Sequence, residues 1–409
     1  MNRAWQLLSR FGLTVGLVLI LCWLNPNRGT SPDSVYYLAS AKHLLAGNGY
    51  TVLQEGKLVW NSIFPPAYSA LIAAVAGLTS LPLLWASKVV NLLALGASGW
   101  LWLRRLQSRR ATWLLSIWWL GSFLKISTYT WSETVFLVLL AEWTWALYRL
   151  FNRPAFGRML GLLALGSALF LDRYVGGFVF GLAGLLAFAA WWQPAWLGQQ
   201  LGLPVSDRLV RLLLILSVAG LTLIRFYFSL NAHLAGSMFG GERFVPTEPL
   251  PALLTLLGRS VLNELLLLRD IVPGEADPLV WMGVAMEALV LGLAIRRWHR
   301  TPVEKSLHPV VNSLSRFFVL TGGFYIVLLL GLRMVSPFSG PNLRLMAPGT
   351  YCLLMALLLW ISRLPAIRQR SLRPYWLLLL MGSWLQLLPQ LDSGRKLSQV
   401  WHQVQTHWP

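Results

Sequence analysis

The residues able to do chemistry in this chain are few, and several crowd into one stretch, "NPNRGTSPDSVYYLASAKHLLAGNGY" at 25–50. Ser31 can cap a helix, Pro32 suits its first position and Gly47 its stop, so the pattern predicts a short helix over 31–46. Val35, Leu38, Ala39, the stem of Lys42, Leu45 and Ala46 recur at helical spacing and give it an apolar face. Asp33 falls in the first turn, where the helix dipole and free N–H groups favour a carboxylate. Such a group can accept a proton or a hydrogen bond from a hydroxyl; it is also simply a good first-turn residue. Glu133, behind Ser132 at the start of an apolar run, has the same double reading. Tyr36 and Tyr37 offer faces for stacking, or anchor the helix at a membrane interface.

The cations are the second group. Arginine presents a planar fork that matches phosphate oxygens two at a time. Arg173, Arg333 and Arg344 stand at the ends of apolar runs, Arg243 lies in the glycine-rich "GSMFGGER" and Lys42 on the first helix. Each has a plainer reading. Arg173 can pair with neighbouring Asp172, Arg243 beside Glu242 can be a solvated loop charge, and Lys42 can snorkel from an interfacial helix. Arg344 has no acidic neighbour close in sequence, which favours a ligand role.

What must hold these residues is a membrane-embedded scaffold. Of 409 residues, 56% are hydrophobic and 12% charged, about half the charged share of an average soluble domain. Apolar runs able to cross a bilayer recur along the chain; about eleven can be counted, at 11–24, 82–103, 111–126, 132–150, 158–171, 174–192, 209–229, 280–295, 317–332, 345–362 and 374–390. The chain is read as one all-α transmembrane domain over 1–409. Its net charge of +19 sits largely in short loops such as "RRLQSRR" at 104–110, "RRWHR" at 296–300 and "SRLPAIRQRSLR" at 362–373. Basic loops of this kind mark the cytoplasmic side and touch anionic head groups, so the charge is no nucleic-acid footprint. The N-terminus is then inside and the C-terminus outside, with two long outer loops at 25–81 and 230–279.

The first run, "FGLTVGLVLILCWL", is followed by Asn25 and Pro26 rather than a small-residue cleavage site, and is read as a retained signal anchor. "PPAYSALIAAVAGLT" at 65–79 is too short for a span and is placed as an interfacial or re-entrant element. The apolar stretch 251–273 is read as a helix on the membrane surface. Cys22 and Cys352 lie within apolar runs, and the six histidines lack ligand spacing, so neither a disulfide framework nor a protein-built metal site is legible.

The order of the motifs resembles the GT-C glycosyltransferases, multi-span enzymes that include the protein O-mannosyltransferases and the aminoarabinose transferase of lipid A. An Asp-x-x-Tyr-Tyr helix follows the first span, then Gly-x-Gly-Tyr and Pro-Pro-x-Tyr. "WSETVF" (131–136), "LDRYVGG" (171–177), "IRFYFSLNAHLAGSMFGGER" (224–243) and "PNLRLMAP" (341–348) are similar to later family elements, in the family's order. The resemblance implies a GT-C-like bundle in a bacterial plasma membrane, with its active site facing away from the cytoplasm. It implies a sugar donor on a polyprenyl phosphate and an acceptor hydroxyl on a lipid, protein or glycan. Asp33 would be the catalytic base. Arg173, Arg243, Arg344 and Lys42 would meet the phosphate, and Glu133, Tyr36 and Tyr37 the sugar or acceptor. Two positions depart from the pattern: Ser34 stands where a second acid is common, and Asn342 where an aspartate often precedes the late arginine. They leave open whether a divalent metal ion assists.

A secondary transporter is the competing class. Glu142 and Glu287 fall within apolar runs, where carboxylates are costly and could relay protons. Against it, no internal repeat is visible, whereas many transporters carry one.

Overall fold

The structure, a computed structural model, describes residues 3–106, 108–240, 249–252, 254–255, 278–300, 309–335 and 343–390. The expected first-loop helix is present as α2 (Pro32–Leu45), after the N-terminal α1 (Arg3–Leu24). Ser31 is its N-cap and donates its backbone N–H to Ser34 Oγ at 3.0 Å, one half of a capping box. Gly47 leaves it at φ +77°.

The chain then makes an antiparallel hairpin, β1 (Thr51–Gln54) and β2 (Lys57–Trp60), in register from Thr51↔Trp60 to Gln54↔Lys57. Glu55 and Gly56 turn it, both at positive φ (49° and 79°); two left-handed central residues are what the twist of a two-residue hairpin asks for. The hairpin lies within the stretch 25–81, read from the sequence as an outer loop.

α3 (Ala67–Thr79) and α4 (Leu83–Arg105) follow, bent by 108° at the break between them. The 65–79 segment is thus a helix of its own, packed between α2 and α4. Next come α5 (Ser108–Leu115), α6 (Gly121–Thr128), α7 (Glu133–Asn152), α8 (Phe156–Asp172), α9 (Phe178–Trp192), α10 (Pro194–Leu201), α11 (Asp207–Ala235), α12 (Pro278–Arg300), α13 (Pro309–Val335), α14 (Leu343–Ile361) and α15 (Ala366–Ser383).

Among the described residues, five helical stretches are long and apolar enough to cross a membrane: Glu133–Asn152, Tyr174–Trp192, Asp207–Ala235, Ser313–Met334 and Leu343–Ile361. The bent pair α3–α4 would make a sixth. The expected eleven are not reached on this count. The run at 111–126, expected as one span, is broken into α5, a 3-10 turn (Ser116–Trp119) and α6. Gly121 shows why: its N–H donates to Ser383 Oγ at 2.9 Å, and a Cβ there would lie 2.0 Å from Ser383 O. The chain approaches the end of α15 too closely to continue as a straight helix.

α7 is the central post. Its side chains are buried almost throughout, and it packs on α4, α6, α8, α13 and α14. The main apolar core surrounds it, while a smaller cluster (Tyr37, Ala41, Tyr68, Ile72, Ala73, Ala76, Ala86, Val90 and Val135) seats α2 and α3 on α4 and on the start of α7. The first-loop helix is therefore fixed in the fold rather than resting on lipid alone. α11, at 29 residues, is about 44 Å long, well beyond a hydrocarbon core of about 30 Å. Its far end reaches the first loop, where Asn231 Oδ1 accepts Trp60 Nε1–H at 2.9 Å.

Candidate active site

Four charged residues meet at one end of the bundle, although 311 residues separate the first from the last. Asp33 sits in the first turn of α2, Glu133 opens α7, Arg173 follows α8 and Arg344 lies in the first turn of α14. Arg344 donates from Nη1 to Asp33 Oδ2 and from Nε to Glu133 Oε1, both at 2.6 Å. Arg173 Nη1 pairs with the same Glu133 oxygen. Glu133 is 1% exposed, the two arginines 16% and 21%, and Asp33 34%. The quartet is electrically balanced, and Asp33 is the member open to the outside.

Aromatic groups flank it. The Arg344 guanidinium lies 4.2 Å from the centre of the Trp131 ring, which stacks on Tyr129 at 4.3 Å; a guanidinium over an indole face gains cation–π attraction. Burial works against the Arg173 charge, but neighbouring Glu133 more than offsets this, and its pKa is raised. Burial, reinforced by Glu133, also pushes the Tyr37 phenol up, so its hydroxyl stays protonated beside Ser132 Oγ, 3.2 Å away.

What aligns the two loops carrying Asp33 and Glu133 is a lysine. Lys88, in α4, is 1% exposed and donates to Gly29 O (3.0 Å), Thr128 O (2.7 Å) and Thr130 Oγ1 (2.9 Å). All three donors of its ammonium group are thus satisfied, and they tie the 25–31 turn to the 128–132 turn. Thr130 N–H reaches Gly29 O (2.8 Å), Ser34 Oγ reaches Thr130 O (3.0 Å), and Trp131 Nε1 reaches Ser31 Oγ (2.7 Å). Gly29 is needed for this approach: it has φ +67°, and a Cβ would lie 2.5 Å from Thr128 O. Asn91 adds bonds to Ser127 O and Tyr129 O, and accepts from Tyr68.

The other expectations divide. Arg173 pairs with Glu133 rather than with Asp172, whose buried oxygens have no hydrogen-bond partner; Asp172 is the last residue of α8 and Arg173 its C-cap. Arg344 is not an isolated cation, because its acids come from elements distant in sequence. Tyr37 is core rather than a stacking surface: it is 1% exposed, edge-on to Tyr68. Tyr36 is half-buried beside Phe64. Lys42 is exposed. Arg333 is buried near the end of α13. Arg243, Asn342 and most of the 251–273 stretch lie outside the described residues. Glu142, half of the transporter reading, is held by both nitrogens of the Arg105 fork, and Glu287 is buried on α12.

Sequence reasoning missed Lys88, Asn91 and Asn231. A lone lysine inside an apolar run was itself the signal, since such a charge persists in a membrane segment only with partners. As ligands for a divalent ion the residues present do not fit. Among the described residues no group of three or more His, Cys, Asp or Glu is placed to hold one, and Asp33 and Glu133 are engaged with arginines.

No protein-family model matches the sequence, and no curated protein matches it. Among solved structures, the oligosaccharyltransferase of Archaeoglobus fulgidus, tethered by a disulfide bond to an acceptor peptide containing the NVT sequon, is similar at 10% identity and a TM-score of 0.50. That match covers 94% of this chain and 55% of the other, so this chain spans about half its length. ArnT from Cupriavidus metallidurans, solved with undecaprenyl phosphate bound and in the apo state, matches at 14% identity and a TM-score of 0.42, over 89% of this chain and 78% of that one. The first likeness shows the fold alone: this chain is a helical membrane bundle similar to that oligosaccharyltransferase.

Proposed function

We propose that this chain is a GT-C glycosyltransferase that moves a sugar from a polyprenyl-phosphate donor to an acceptor hydroxyl at the outer face of a bacterial plasma membrane. The observation that supports this most is the quartet of Asp33, Glu133, Arg173 and Arg344, gathered at one end of an otherwise apolar bundle. In the reaction, the acceptor oxygen attacks the anomeric carbon while the bond from that carbon to the phosphate oxygen breaks. The hydroxyl proton passes to Asp33, and the polyprenyl phosphate departs with the electron pair. Asp33 suits the base because Arg344 occupies one oxygen and the side chain remains open at the site mouth. Arg173 and Arg344, positioned through Glu133, supply cationic donors for the charge that grows on the leaving phosphate. The acceptor is a lipid, protein or glycan hydroxyl.

The test is Asp33→Asn. Asparagine still suits a first turn but cannot take the proton. Single-turnover transfer should fall by about 10²–10⁴ while donor binding, measured on the same preparation, persists. Near-parental transfer would remove Asp33 from the chemistry. A polyprenyl phosphate or its glycoside among lipids that co-purify in mild detergent would establish the donor class.

A further inference from the structure

Three arginines elsewhere in the bundle, Arg110, Arg316 and Arg363, have no acidic partner among the described residues. Arg363 lies in the turn after α14, 19 residues beyond Arg344 in sequence, hence about 28 Å away along the helix. It is 8% exposed, and its buried Nε and Nη2 have no hydrogen-bond partner. The carbonyls of its two sequence neighbours accept from Gln369, whose Nε2 donates to Ser362 O (2.9 Å) and Leu364 O (2.7 Å), and Gln369 Oε1 accepts Trp113 Nε1–H. The charges facing Arg363 from the packed elements are Arg110 of α5 and Arg316 of α13. Arg316 spends Nη1 on Gln199 O and Gln200 O. Among the described residues no carboxylate pairs with any of the three.

A buried guanidinium without a counter-charge, beside two more cations, is costly. Burial, with Arg110 and Arg316 adding to it, pushes the Arg363 pKa down to about 10. A bound anion relieves both penalties. Tryptophans stand beside the turn. Trp360 is 43% exposed one turn before Arg363, its ring 4.9 Å from Trp298, and the Arg368 guanidinium covers Trp298 at 4.5 Å; tryptophan belts and basic inter-helix pockets mark the head-group layer.

We propose that Arg110, Arg316 and Arg363 form a binding site for the phosphate of an anionic phospholipid head group, distinct from the Asp33 site. Arginine forks match phosphate oxygens in pairs. The lipid's single negative charge would offset part of the cluster's and tie the ends of α5, α13 and α14 to one another.

The experiment counts lipid retained by the full-length chain in detergent by native mass spectrometry, with phosphatidylglycerol, phosphatidylcholine or inorganic phosphate offered in parallel. The parent should retain phosphatidylglycerol over phosphatidylcholine. Arg363→Met, which removes the buried charge and keeps the bulk, should fold and lose this preference by roughly tenfold. Arg316→Gln, at an exposed position, should weaken it in the same direction should the first variant fail to fold. Equal retention by parent and folded variants would overturn the site, and phosphate competing at the lipid's own concentration would overturn the lipid as its occupant. None of these readouts depends on sugar transfer.

Discussion

At one end of the bundle Arg173 and Arg344 share Glu133, and Arg344 also holds Asp33; elsewhere, Arg110 and Arg316 act on the charge of Arg363, and among the described residues no carboxylate pairs with any of the three. The first end neutralises itself, so its cations can stand ready in a partly dry site without a ligand. The second is where we place the head group of an anionic lipid. Arg105 shows that the basic half of the bundle can also use internal pairing: it grips Glu142 with both nitrogens while its guanidinium lies 5.4 Å from the Trp102 ring centre and 5.0 Å from that of Trp145. The contrast is therefore between the Glu133 pair and the Arg363 cluster, and Arg105 follows the first pattern.

The largest effect should come from removing the shared acid. Glu133→Gln leaves two partly buried guanidiniums facing an amide, and breaking a buried pair from one side costs about 3–5 kcal/mol. Thermal unfolding in detergent should show it. A variant as stable as the parent would mean that the quartet is not the internally balanced unit the geometry indicates.

Glu142→Gln should cost less, about 1.5–3 kcal/mol, because Arg105 keeps both indole faces when the carboxylate is lost. Stability measured against Glu133→Gln ranks the two acids directly. A loss larger than that of Glu133→Gln would reverse that ranking. It would also restore interest in Glu142 as a functional carboxylate.

Local pattern carried part of this site. Ser31, Pro32 and Gly47 delimited α2 almost to the residue, which put Asp33 in a first turn, and the ends of apolar runs located Glu133, Arg173 and Arg344. The pairings were not legible. Asp33 and Arg344 meet across 311 residues, and near neighbours in sequence, Asp172 and Arg173, do not pair. One apolar run, 111–126, is broken where a close approach interrupts it, as at Gly121. The hairpin was missed although Glu55–Gly56 offered a turn signal, because its strands are only four residues long. Lys88 was absorbed into an apolar average, which hides a single buried charge tying two loops together.

The smallest of these effects should belong to Arg344→Lys, and it separates charge from shape at the matched end. The substitution keeps the cation and much of the stem, so the site stays neutral. What it loses is the fork: Arg344 reaches Asp33 with Nη1 and Glu133 with Nε, both at 2.6 Å, while its flat face lies on Trp131. An ammonium is a point donor with no flat face, and it cannot reproduce paired bonds to a planar anion. Binding of a polyprenyl phosphate should weaken by roughly tenfold, the equivalent of about 1.4 kcal/mol, with little change in unfolding temperature. An unchanged affinity would mean that only the charge at this position matters to the phosphate, and the fork would then serve the fold by holding α2 against α7.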